Sequence, residues 1–198
     1  MSKNLASGIG LVSAANMLGG ILNLVMVVAL TRLLPKSEFA TIALMYMIFT
    51  IFSTVGTLGL PSALLFYVPK FSASASRHLG LWMGGFLTLI AIPVALIFVI
   101  IGPLLAQHFP IPNIHTLFYI VALALVFDFP GQTFSGYLLA KERYIGTSIV
   151  TGLFVTTRFI GFTLPAYLGL GVHGMVWGLC LTTALRSITY FLYLAFIE

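Results

Sequence analysis

Three ionisable residues stand deep inside apolar runs of this chain, and their chemistry sets the first question. Asp128, Arg158 and Arg186 are each flanked on both sides by long stretches of Leu, Ile, Val, Phe, Ala and Gly. A charge near the centre of a hydrocarbon layer costs at least ~2.5 to 3.5 kcal/mol, so such residues turn toward a bundle interior or a watery cavity. Two arginines against one acid leave an excess of positive charge. The planar guanidinium fork matches phosphate and carboxylate, so the chemistry to expect is recognition of an anion. Asn16 and Asn23, seven residues apart with Gly19 and Gly20 between them, lie near one helix face. They form either a polar stripe of the same cavity or interhelical hydrogen bonds worth roughly 0.6 to 2 kcal/mol each. Thr156 and Thr157 beside Arg158 line that cavity too, or bond the carbonyls of their own helix.

Counting from the nearest turns compares depths. Asp128 precedes Glu142 by fourteen residues and Arg158 follows it by sixteen. In an antiparallel hairpin the two then differ in depth by only ~3 Å at 1.5 Å per residue, and an internal salt bridge between them is geometrically allowed. Arg158 and Arg186 lie twelve and sixteen residues on either side of Leu170, a difference of ~6 Å that long side chains span.

Other chemistries find no support. Gly169-x-Gly171-x-x-Gly174 spells a dinucleotide fingerprint, but it joins two apolar runs instead of following a buried strand, and position 194 is Leu where an acidic residue would be needed. No phosphate-binding Gly-Lys-Ser/Thr loop occurs, nor a His-Glu-x-x-His pair, and Glu38, Asp128, Glu142 and Glu198 are dispersed. His78, His108, His115 and His173 fall at the ends of apolar runs, and the single Cys180 lies within one. No catalytic residue, metal or cofactor is therefore expected. The basic residues are scattered singly, a topology signal and not a nucleic-acid stripe.

The elements that must hold these residues follow from composition. Of 198 residues, 60% are hydrophobic and only 7% charged, with a mean hydropathy of +1.13, whereas soluble domains carry about a quarter charged residues. Too few charges are present to clothe a water-facing surface. Apolar stretches of ~20 residues, each long enough to cross ~30 Å of hydrocarbon as a helix, recur along the chain. The expected fold is all-α, a polytopic membrane bundle of six transmembrane helices in one domain over residues 1–198. The spans run over 8–30, 39–67, 79–106, 114–139, 145–167 and 172–196. The first is read as a retained span, since it outruns a signal-peptide core. Breaks come from Leu34-Pro35-Lys36-Ser37-Glu38, a polar stretch from Phe71 to His78, Phe109 to Asn113, Lys141 to Arg143, and Gly169 to Gly174. Pro61, Pro93 and Pro130 are expected to kink the second, third and fourth spans without ending them.

Lys3, Lys70, Arg77, Lys141 and Arg143 fall on one side of this arrangement, and Arg32 and Lys36 on the other. By the positive-inside rule both termini are cytoplasmic. Gly80-x-x-x-Gly84 and Gly174-x-x-x-Gly178 allow close helix contact and are read as bundle packing. The tyrosines and Trp82 near span ends are read as interface anchors, and Trp177 as a packing residue.

Thr31-Arg32-Leu33-Leu34-Pro35-Lys36-Ser37-Glu38-Phe39-Ala40, followed by the run from Gly56 to Pro69 (GTLGLPSALLFYVP), resembles the start of the polysaccharide-unit flippases. These are O-antigen and exopolysaccharide translocases of the multidrug/oligosaccharidyl-lipid/polysaccharide exporter superfamily. Where the family commonly ends its first span in an R-x-L-G-P-x-x-F/Y-G turn, this chain has Leu34 and Ala40 in place of the two glycines. The resemblance implies a lobe of a two-lobed transporter in a bacterial or archaeal cytoplasmic membrane, moving a lipid-linked oligosaccharide. Arg158 and Arg186 would then meet its pyrophosphate or acidic sugars, while Asn16 and Asn23 bond sugar hydroxyls. A lobe of this kind implies either a truncated form of a longer transporter or a partner, which is a second half-transporter chain or a second copy. Two other readings stay open: a cation-coupled multidrug exporter of the same fold with Asp128 as its ion site, and a membrane scaffold subunit of a polysaccharide assembly complex.

Overall fold

The computed structural model describes residues 2–106 and 114–196. The expected turn at 109–113, His108 and Glu198 lie outside the described residues. Helix α1 covers Ser2–Leu33, α2 Lys36–Gly56, α3 Leu60–Tyr67, α4 Ala73–Ala106, α5 Ile114–Ala140, α6 Tyr144–Tyr167 and α7 Gly171–Phe196, with a 3₁₀ turn at Val68–Lys70. No strand occurs among the described residues. Every long helix is able to cross a membrane by length and apolarity, six in number, with only the eight-residue α3 too short. The all-helical, six-span architecture expected from hydropathy is the one observed, because in lipid a backbone can satisfy its own polar groups only within a helix or a closed barrel.

The second span departs from expectation. Instead of bending at Pro61, the chain breaks at Thr57-Leu58-Gly59, where Leu58 and Gly59 take positive φ values of 50° and 70°. Pro61 then falls in the first turn of α3, a position whose N–H has no partner within its own helix in any case. A continuous helix over residues 39–67 would be ~43 Å long and would overshoot the hydrocarbon layer. Breaking it lets α3 fold against α5, where the carbonyl of Pro61 lies so near Gly136 that an added Cβ would come within 2.9 Å of it. By contrast α5 continues through Pro130 without ending. One turn earlier the carbonyl of Phe127 accepts the Ser187 hydroxyl, which ties α5 to α7 beside the proline. The polar stretch before the third span is mostly helical, since α4 starts at Ala73; the Ser76 hydroxyl bonds the carbonyls of Val68 and Ser72 at 3.2 and 2.9 Å and ties the turn to the helix start.

Helix α5 is the axis of the bundle, packed by α4, α7, α2 and α3. Val121, Leu125 and Phe129 recur every four residues and are wholly buried. Two tyrosines expected at the interface are core residues. Tyr137 and Tyr190 are both 0% exposed, and Tyr190 donates its hydroxyl to the Gly80 carbonyl at 2.7 Å. Gly80 and Gly84 are the notches that receive these rings. Trp177, expected to pack, is instead 48% exposed on α7.

A second layer is formed by α1 lying on α6. Gly8 faces Tyr144 and Gly19 faces Val155, the same offset of 136 residues at both contacts, so the two helices run parallel and in register. This layer joins the core where Gly178 of α7 presses on the backbone of Gly161 in α6. One end of the bundle gathers Arg77 with Ala195 (3.1 Å) and Arg143 with Tyr193, while Glu38 and Gly171 meet at the other.

Candidate functional site

A cavity of about 280 Å³ between α2, α5, α6 and α7 collects Asp128, Arg158 and Arg186 in its wall, together with Tyr46, Ser53 and Gln132. Each arrives from a different helix because the depths match. Arg158 donates from Nη1 to the Tyr46 hydroxyl at 2.8 Å. Arg186 donates from Nη2 to Ser135 at 3.2 Å, and its guanidinium carbon lies 4.3 Å from the centroid of the Phe154 ring. The Arg158 guanidinium stands 6.0 Å from the same centroid. Phe154 is thus an apolar post shared by both cations, whose charge the ring face favours. Gly131 makes this possible, since a Cβ there would meet the stem of Arg186 at 3.2 Å. Arg186 is not fully satisfied: its Nε–H is buried without a hydrogen-bond partner.

The internal bridge allowed by depth is not formed. Asp128 is 5% exposed, and its Oδ2 accepts from Ser53 Oγ at 2.5 Å and from Gln132 Nε2 at 2.6 Å. Gln132 Nε2 also reaches Ser53, which closes a small triangle. Because Gln132 lies four residues beyond Asp128 on the same helix face and Ser53 opposes them from α2, neutral groups bind the carboxylate before either arginine can. Neither guanidinium is paired with the carboxylate, so both positive charges stand in the cavity wall.

Two further cavities adjoin this one. A cavity of about 350 Å³ shares Arg186 and Phe154 with it and is lined by Asn16, Ser135 and Thr151. Another of about 420 Å³ shares Tyr46 and Thr50 and holds Asn23 among apolar residues of α1 and α2. The five residues singled out from sequence therefore lie along one chain of three neighbouring cavities, with Asn16 in the first, Asp128, Arg158 and Arg186 in the middle and Asn23 in the last. Asn16 and Asn23 do not share a cavity, although they share a helix face. Thr157 donates to its own helix at Leu153, 2.9 Å away.

A family model described as "Polysaccharide biosynthesis protein" matches residues 5–198. The chain belongs to this family. The match reaches into every helix, well beyond the stretches between Thr31 and Pro69 in which the resemblance was legible, and with six membrane-length helices among the described residues the chain is a multi-pass membrane protein. No curated protein and no solved structure matches the chain significantly.

Sequence reasoning missed several residues of this site: Tyr46, Ser53, Gln132, Ser135 and Phe154. Gln132 carried a signal, being a second costly polar residue one turn from Asp128. Tyr46 carried another, since its hydroxyl falls mid-span, far from the water that usually takes it. Ser53 and Ser135 carried none, because serine is common in membrane helices as a packing residue. Phe154 is one phenylalanine among 17, and only its place between two guanidinium groups distinguishes it.

Proposed function

We propose that this chain is a flippase, or a flippase lobe, that moves a lipid-linked oligosaccharide from the cytoplasmic to the outer leaflet, with both chain termini cytoplasmic. The observation that carries this reading is the pair of arginines on one cavity whose single carboxylate is already held by Ser53 and Gln132. A pyrophosphate entering there meets two guanidinium groups, and charge-assisted bonds of this type are roughly twice as strong as neutral ones. Transport needs no bond made or broken, so the residues work by attraction and release.

Asp128 has a supporting part in this reading. A carboxylate bonded to two neutral donors, close to the anion site but not paired with it, is placed to take up a proton or a sodium ion and to change the charge that the substrate feels. A drug exporter would use the same acid, with cationic or neutral cargo.

The test is export of lipid-linked glycan by cells whose only copy carries a variant. Arg186→Ala is expected to lower export at least tenfold at unchanged membrane abundance, with Arg186→Lys restoring only part of it, because a point charge lacks the fork. Asp128→Asn, run alongside, is expected to remove dependence on the ion gradient. Normal export by Arg186→Ala at normal abundance refutes the anion reading, and loss of drug resistance in place of glycan export favours the exporter.

A further inference from the structure

The cavity beside the arginines has a different character, and from it we infer that this protein carries a separate subsite for a neutral sugar ring between α1, α5 and α6, divided from the anion site by Phe154 and Arg186. At about 350 Å³ it falls within the ~300 to 1,000 Å³ of small-molecule sites. Its polar groups are uncharged apart from the shared Arg186: the amide of Asn16 and the hydroxyls of Ser135, Thr147 and Thr151. Both amide and hydroxyl donate and accept, the pattern that sugar hydroxyls require. The Phe154 ring adds an apolar wall for the C–H face of a pyranose, as mixed sites of this kind commonly do.

What marks the site as built for a ligand is the state of Thr151 and Asn16. Thr147, Ser148, Thr157 and Thr163 of α6 each close onto the carbonyl four residues back, at 2.7 to 3.1 Å, which is how a hydroxyl in a membrane helix normally satisfies itself. Thr151 lies on the same helix and does not. Neither Thr151 nor Asn16 has a hydrogen-bond partner among the described residues. Ser135 accepts from Arg186 and keeps its own proton to give. Arg186 is the common wall, so the two subsites hold neighbouring parts of one molecule, the phosphate over Arg158 and Arg186 and the first sugar over Asn16 and Thr151. The subsite itself rests on the proposed function only for the identity of its occupant as a carbohydrate.

The experiment uses the full 198-residue chain in lipid nanodiscs, free of sugar-headed detergent. Saturation transfer by NMR is measured to methyl glycosides of glucose, galactose, mannose and N-acetylglucosamine, and phosphorus line broadening to inorganic pyrophosphate. The wild-type chain is expected to saturate at least one glycoside. Thr151→Val, nearly equal in shape, is expected to weaken it roughly three- to tenfold, the worth of one neutral hydrogen bond, and Asn16→Ala similarly, with Thr151→Ser restoring the signal and pyrophosphate broadening unchanged throughout. Absence of saturation for every glycoside overturns the subsite, as does a signal indifferent to Thr151→Val, or loss of pyrophosphate together with the glycoside in that variant. Glycoside binding without pyrophosphate binding in the wild type keeps the subsite and removes the anion reading, so the two failures are separable.

Discussion

Helix α5 and the α1–α6 layer are both membrane-spanning and both apolar, yet they differ sharply in how far the protein covers them. Within its most apolar window 67% of α5 is buried, against 6% for α1 and 11% for α6. On α5 the polar groups are spent inside the protein: Asp128 and Gln132 are bound to Ser53 and to each other, and Thr133 donates to the carbonyl of Pro130 at 2.5 Å. On α1 and α6, Asn16, Asn23, Thr151 and Thr156 have no hydrogen-bond partner among the described residues. An unsatisfied polar group in hydrocarbon is expensive, and in the proposed reading this open layer is the face that the substrate meets. The core, in contrast, is a dense scaffold whose polar groups hold its own helices in place.

This contrast can be broken most severely where the two layers join. Gly178→Ala sets a methyl group against the backbone of Gly161, and backbone cannot step aside as a flexible side chain does. A loss of about 3 kcal/mol or more in reversible unfolding, the upper range for overpacking, is expected; an unfolding curve like that of the wild type would mean that α6 slides freely on α7. The next effect compares two leucines. Leu125 on α5 is wholly buried and Leu153 on α6 is 61% exposed. Lipid is as apolar as leucine, so the transfer gain largely cancels and the cavity remains; Leu125→Ala should cost about 2 kcal/mol and Leu153→Ala under about 0.5. Equal losses would show that α6 is packed as tightly as α5. The smallest effect is at Gly152, where an added Cβ meets nothing within 4 Å. Gly152→Ala should leave unfolding within about 0.5 kcal/mol, and a larger loss would reveal a partner covering α6.

Much of the fold was legible in the chain. The spans, their alternating direction and the passage of α5 through Pro130 follow from apolar length and turn chemistry. The break at Thr57-Leu58-Gly59 was not, because Leu58 at φ 50° is a strained choice that only the docking of α3 on α5 offsets. The site was legible as a set of costly residues but not as a set of contacts. Equal depth allowed Asp128 to meet Arg158, yet depth says nothing about rotation of a helix about its own axis, and it was rotation that turned Asp128 toward Ser53 and Arg158 toward Tyr46.

By itself the sequence determined that this protein lies in lipid, crosses it six times and carries more positive than negative charge within it. Those facts depend on one-dimensional quantities: the length of apolar runs, and the places where charge interrupts them. Only the tertiary structure decided which polar groups spend their hydrogen bonds on each other and which keep them. That choice is made by side-chain directions across helix interfaces a few ångströms wide, where a bare glycine such as Gly131 or Gly178 sets how closely two helices approach and therefore which neighbours their side chains reach.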